Sequence, residues 1–197
     1  MADFLSTFRN YLKIARADTI ARRYLVMNGF DGALTTLGLI MGAYTAGALD
    51  PRLILTAGFG VGLALGISGV TSAFIAEKAE RDRSIKALEA AMFTNLDDTV
   101  MARASDAAVY FVALINALSP VVAAFVSLAP FTFALLGMLP TMTAFYLALG
   151  INGITLFILG VVLGQSSRAN TILYGSLMVL AGFATALVML LLRITNV

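Results

Sequence analysis

The sequence predicts an all-α integral membrane protein with five transmembrane helices and a cytoplasmic N-terminus. Three observations carry that expectation. Apolar residues make up 60% of the 197-residue chain and charged residues only 12%, and mean hydropathy is +0.93. A soluble domain carries about 25% charged residues. The apolar residues gather into five runs, each long enough to supply the ~20 residues that a helix needs to cross a bilayer. Finally, nearly all of the basic residues fall on one side of the topology that those runs define.

The elements follow in order. Residues 1–24 precede the first span, and their mixed character does not read as a secretory signal. Within them, 4–16 has the pattern of an amphipathic helix: Phe4, Leu5, Phe8, Tyr11, Leu12 and Ala15 recur at helical spacing, with Arg9, Lys13 and Arg16 between. Such a helix lies in the membrane interface or packs on the protein's own inner face. The transmembrane domain then covers 25–197. Span one is expected at about 25–48, Asp50-Pro51 makes a tight turn, and span two follows at about 53–76. The helical pattern does not stop there. Glu77 to Met92 is charged and rich in helix formers, so the second helix extends into the cytosol as part of an insert over 77–106. Span three is expected at about 107–128 with a kink at Pro120, and Ala129-Pro130 begins a short turn. Span four, about 133–163, is long enough to call for tilt or a break near Pro140. Span five is expected at about 171–192.

Orientation comes from Lys and Arg. Arg9, Lys13, Arg16, Arg22 and Arg23 precede span one; Lys78, Arg81, Arg83, Lys86 and Arg103 follow span two; Arg168 follows span four. These eleven share one side, and Arg52 and Arg193 fall on the other. The positive-inside rule makes the first side cytoplasmic.

Composition also excludes chemistry. With no Cys there is no disulfide, thiolate ligand or thiol nucleophile, and with no His the commonest general base is missing. Trp is absent too, which leaves Tyr and Phe to form any interfacial belt.

One stretch stands out, NGFDGALTTLGLIMGA from Asn28 to Ala43. It carries Asp31, the carboxylate with membrane-spanning sequence around it. Such a charge costs ~2.5–3.5 kcal/mol even on lenient insertion scales, and intramembrane carboxylates mark functional sites by default. Asn28, Asp31 and Thr35 share one helical face, with Asp31 about 9 Å into the span at 1.5 Å per residue. Oxygen ligands of this kind suit a hard or borderline divalent cation, or a proton. One carboxylate cannot neutralise a divalent ion in low dielectric, whereas two, supplied by a symmetric homodimer with span one at its interface, can. The alternative is a carboxylate satisfied by neighbouring hydroxyls or by Arg22 or Arg23. Ser68 and Ser72 of span two extend the candidate path, or simply bond back to helix carbonyls. Met41 offers a thioether for a softer ion, or packs. Glu77 and Glu80, one turn apart, are candidate metal ligands on the extension. Glu77 also meets Arg81 at i,i+4, as on an ordinary solvated helix. Three small-xxx-small pairs, Gly38/Gly42, Gly62/Gly66 and Gly160/Gly164, let helices approach closely within the chain or between copies.

At this stretch the sequence resembles the vacuolar iron transporter family, whose members move Fe²⁺ and Mn²⁺ out of the cytosol. The D-G-x-x-T-T motif of that family's first helix is matched by Asp31, Gly32, Thr35 and Thr36. The resemblance covers the whole chain at the level of architecture, down to Ser119-Pro120 near the end of span three. It implies a dimer with the ion path between protomers, metal export coupled to proton entry, and Asp31 as a transport ligand. Two departures stand beside it. Where the family's second helix reads S-M-A-x-G-E-Y, this chain has Ser68-Gly69-Val70-Thr71-Ser72-Ala73-Phe74, with Gly69 in place of the Met and Ala73 in place of the Glu. The family's Glu-rich cytoplasmic domain is also cut to about 30 residues, with Glu77 and Glu80 as its remnant.

The expected function is thus export of a divalent metal ion, with the bilayer, the ion and a second copy of the chain as partners, and with no cofactor beyond the transported Fe²⁺ or Mn²⁺ and protons. No nucleic-acid partner is expected. An enzyme is not expected either: CDP-alcohol phosphotransferases need several Asp residues within two helical turns, and here those positions are Asn28, Thr35 and Leu39. A non-transporting membrane sensor or scaffold, with a structural Asp31, is the alternative. The short chain suits a prokaryotic plasma membrane.

Overall fold

Five helices form where the five apolar runs lie. They are α1 (Ala17–Thr45), α2 (Pro51–Met92), α3 (Val100–Leu135), α4 (Thr141–Ser166) and α5 (Thr171–Ile194). The computed structural model of the chain describes residues 10–15, 17–96 and 99–194, and no strand occurs among them. All five helices are long and apolar enough to cross a membrane, so the chain is a multi-pass integral membrane protein. Most of the amphipathic helix expected over 4–16 lies outside the described residues, of which 10–14 are helical.

Local chemistry sets the helix ends. Asp50 caps α2 by accepting from Arg52 N at 2.9 Å, and Pro51 occupies the first helical position, where its missing N–H costs nothing. From there α2 runs unbroken for 42 residues. It ends at Phe93, in the left-handed region with φ 51°. Thr99 then caps α3 by accepting from Ala102 N at 3.3 Å. The Glu89 carboxylate ties this hairpin together by accepting from Leu96 N at 2.8 Å. On the extension, Lys78 bridges Asp82 and Asp106, each at 2.9 Å.

Two boundaries differ from the sequence expectation. α1 starts at Ala17, well before residue 25, because Arg22 and Arg23 interrupt the apolar run without interrupting the helix; both are exposed. The turn expected at Ala129-Pro130 is also corrected. α3 continues through both Pro120 and Pro130 to Leu135. Membrane helices tolerate proline where neighbouring helices re-satisfy the backbone it frees, and both prolines are buried. The chain reverses after Leu135 instead, where Gly137 takes φ 74°, a conformation that disfavours side chains. Span four therefore begins at Thr141 rather than 133 and has 26 residues. The break expected near Pro140 is this loop.

α3 is the central helix. It packs against α1, α2 and α4, while α5 covers α4 and α1. Glycines set the spacing. Gly58, Gly62, Gly66 and Gly69 of α2 lie along α3, and Gly160 and Gly164 of α4 lie against α5. Two of the three small-xxx-small pairs are thus used inside the chain. Near the 46–50 and 136–140 loops, Leu37, Ile40, Met41, Ile54, Phe131 and Phe145 form the main apolar core. Ala17, Ala21, Ala108 and Val112 close the opposite end.

Candidate intramembrane site around Asp31

Asp31 is the central residue of α1, with fourteen helical residues on either side. A hydrogen bond fixes its depth independently. Asn152, twelfth of the 26 residues of α4, donates through Nδ2 to Ala33 O at 2.9 Å. Asp31 lies two residues from that level, about 3 Å along the axis.

α1 divides sharply at this point. Gly29, Gly32, Ala33, Thr36 and Leu37 are buried. A Cβ added to Gly32 would sit 2.6 Å from the backbone of Pro120, so only glycine allows this approach of α1 to α3. Thr36 Oγ1 donates to Gly32 O at 2.8 Å. Asp31 and Thr35, in contrast, are exposed on the outside of the helix bundle. Thr35 Oγ1 donates to Asp31 O at 2.7 Å, which leaves its lone pairs free. Among the described residues, the Asp31 carboxylate makes no hydrogen bond or ion pair. Gly38, further along, meets nothing within 4 Å. The outward face of α1 is thus a carboxylate, a hydroxyl and a bare glycine.

Several other polar groups at this level are tied down, although Asn152 Oδ1 is buried with no partner among the described residues. Asn28 Nδ2 donates to Tyr24 O at 3.0 Å and also to Asn116 Oδ1 of α3. Asn116 Nδ2 donates to Gly69 O of α2 at 2.6 Å. This chain of amides joins three helices. Ser119 Oγ adds a bond to Leu25 O. Asn152 Nδ2 shares its protons between Ala33 O and Ser127 Oγ, the latter at 3.0 Å. Asn116, Ser119, Asn152 and Ser127 were not among the site residues expected from sequence. A polar residue inside an apolar run, directly before a helix-interior proline in the case of Ser119 and one turn before it in the case of Asn116, was the available signal.

The remaining expected residues fall apart from Asp31. Asn28 serves the α1–α3 contact through its Nδ2 donor. Met41 is 3% exposed and belongs to the apolar core, which corrects its place on a path. Ser68 and Ser72 are exposed on α2, and Ser72 Oγ donates back to Gly69 O at 3.3 Å. Glu77 pairs with Arg81 at 3.5 Å, both side chains being mostly buried, and lies within reach of the Tyr24 hydroxyl. Glu80 is exposed. The two glutamates therefore do not present a matched pair of carboxylates, because Glu77 is turned to its arginine. Among the described residues, no three acidic, His or Cys side chains come together as a metal group.

What the arrangement can do chemically follows from this sorting. A lone outward carboxylate midway along a helix long enough to span a membrane can take up a proton, or share a cation with a second carboxylate brought to it. The protein MJ0645 of Methanocaldococcus jannaschii, itself uncharacterized, is 33% identical to this chain over 168 residues, which is 84% of each protein. No protein-family model and no solved structure matches the chain.

Proposed function

The chain belongs to the family of that archaeal protein, and we propose that it is a homodimeric transporter that exports a divalent metal ion, Fe²⁺ or Mn²⁺, from the cytosol in exchange for protons. One observation carries the reading: the central residue of α1 is a carboxylate that faces out of the protomer with no partner among the described residues. A lipid-facing charge at that depth is strongly disfavoured. A second copy, docked along the Asp31–Thr35–Gly38 face, converts two such charges into a site for one divalent ion. Two carboxylates neutralise the ion, and the Thr35 hydroxyls replace part of its water. When the ion leaves, protons take its place, so that the site is neutral in both states. Oxygen donors of this kind suit Mn²⁺ and Fe²⁺. The D-G-x-x-T-T resemblance agrees with this assignment. The clustering of basic residues supports a cytoplasmic N-terminus, and a prokaryotic plasma membrane is the proposed location, with which the archaeal relative is compatible.

The test is Fe²⁺ and Mn²⁺ uptake into proteoliposomes under an imposed pH gradient, for wild type and Asp31→Asn. Flux in the wild type that falls to background in a folded, dimeric mutant is the expected result. Equal flux in both would remove Asp31 from the path. A second reading, a sensor or scaffold with a structural Asp31, has its own support. Gly69 and Ala73, which stand where the resembled family has Met and Glu, are both buried in the α2 contact with α3. Absence of flux in wild type beside an active control transporter is the outcome that favours it.

A further inference from the structure

Where α2 and α3 leave the span, a cavity of about 340 Å³ opens between them and the end of the N-terminal helical stretch. Its walls are of two kinds. Ile14, Ile85, Leu88 and Met101 are apolar, whereas Arg81 and Ser105 are polar. Arg81 is the unusual member. Its side chain is 13% exposed, and its ion-pair partner Glu77 approaches Nε only to 3.5 Å. Among the described residues, Nε and Nη2 have no hydrogen-bond acceptor, and both atoms are closed to solvent. A guanidinium has five N–H donors in a planar fork, and buried donors left unmade are costly. Glu77 therefore balances the charge but leaves the fork unspent. The Ser105 hydroxyl also makes no hydrogen bond among the described residues.

Depth adds the second argument. Arg81 lies five residues past the expected end of span two, about 7.5 Å along the helix axis. The headgroup layer on each side of a bilayer is about 5–7.5 Å thick. A planar fork of donors beside an apolar wall, at that level, matches an anionic phosphate with hydrocarbon attached.

We propose that this cavity binds a phosphate group, with Arg81 and Ser105 as donors and the apolar wall against whatever hydrocarbon the ligand carries. The inference does not rest on the Asp31 reading. The phosphate comes from a lipid headgroup or from the free ion, and the experiment separates the two.

The test uses the full-length protein in detergent. Native mass spectrometry compares retention of phosphatidylglycerol and phosphatidylcholine, with and without sodium phosphate. Circular dichroism follows Tm in sodium phosphate against sodium chloride of equal ionic strength. Two variants accompany the wild type: Glu77→Gln/Arg81→Gln, which removes both members of the ion pair together, and Ser105→Leu, which fills the cavity and leaves the pair intact. The expected result is one phosphatidylglycerol per chain, retained about tenfold better than phosphatidylcholine, a difference of about 1.4 kcal/mol, with the preference lost in both variants. Retention that survives added phosphate identifies lipid as the source. A Tm raised by phosphate, together with displacement of the lipid, identifies the free ion. Equal retention of the two lipids with no phosphate effect on Tm overturns the proposal, and so does a preference that survives in either folded variant.

Discussion

Asp31 and Gly32 are neighbours in sequence and opposites in structure. Gly32 faces α3 so closely that no side chain fits between it and Pro120. Asp31 faces outward and, among the described residues, touches no partner. Around Gly32 the polar side chains bond within the chain: Thr36 bonds back to the helix, and Asn28, Asn116 and Asn152 donate across to other helices, although Asn152 Oδ1 is buried without a partner among the described residues. The inward face spends its polarity on holding the bundle. The outward face keeps its polarity available, which is why function is placed there.

The difference between the faces can be broken most severely at Gly32. Gly32→Val forces a branched side chain into the Pro120 backbone, and overpacking of this kind costs about 3 kcal/mol or more. Loss of a monodisperse folded peak in size-exclusion chromatography is the expected outcome; normal folding would mean that α1 and α3 can separate. Next comes Asn116→Ala, which removes the bonds that tie the Asn28 amide of α1 and the Gly69 carbonyl of α2 to α3. The expected loss is about 1–2 kcal/mol, read as a shift in the SDS unfolding midpoint. Asp31→Asn sharpens the contrast from the other side. It removes no contact made among the described residues and takes away a carboxylate whose ionised form costs ~2.5–3.5 kcal/mol within a bilayer. The same unfolding assay should show it as stable as wild type or more so, and a clear loss of protomer stability would mean that Asp31 is structural. The smallest effect is expected at Gly38→Ala, within ~0.5 kcal/mol for the protomer, since nothing lies within 4 Å of the added carbon. Comparison of its oligomeric mass with wild type then tests whether this glycine meets a second copy.

Much of the architecture was legible because the bilayer imposes simple rules. Five long apolar runs became five helices, and the helical pattern past residue 76 read correctly as a continuation of α2. The errors came where a local rule met tertiary context. Pro130 read as a helix breaker, yet it sits inside α3, and the true reversal was marked by Gly137 and Pro140. Asp31 stood out in the sequence because a charge within membrane-spanning sequence is costly, but that it faces outward was visible only in the fold. Asn28 and Asp31 look equivalent on a helical wheel. Only the position of α3 shows that the first is taken by Asn116 and the second is free. Met41 posed the same difficulty, since a thioether that packs and one that binds an ion share a sequence signature.

The continuity of α2 has a mechanical consequence. A 42-residue helix is a rod of about 63 Å, and roughly 30 Å of it fills the hydrocarbon layer. The remainder extends beyond that layer, braced to α3 through Lys78 and Asp106, with the Glu89–Leu96 bond closing the hairpin. Such a rod turns as one lever. Any tilt of α2 inside the bilayer swings the hairpin tip at Phe93, and a force applied at that tip is felt at Gly69, where α2 holds the amide of Asn116.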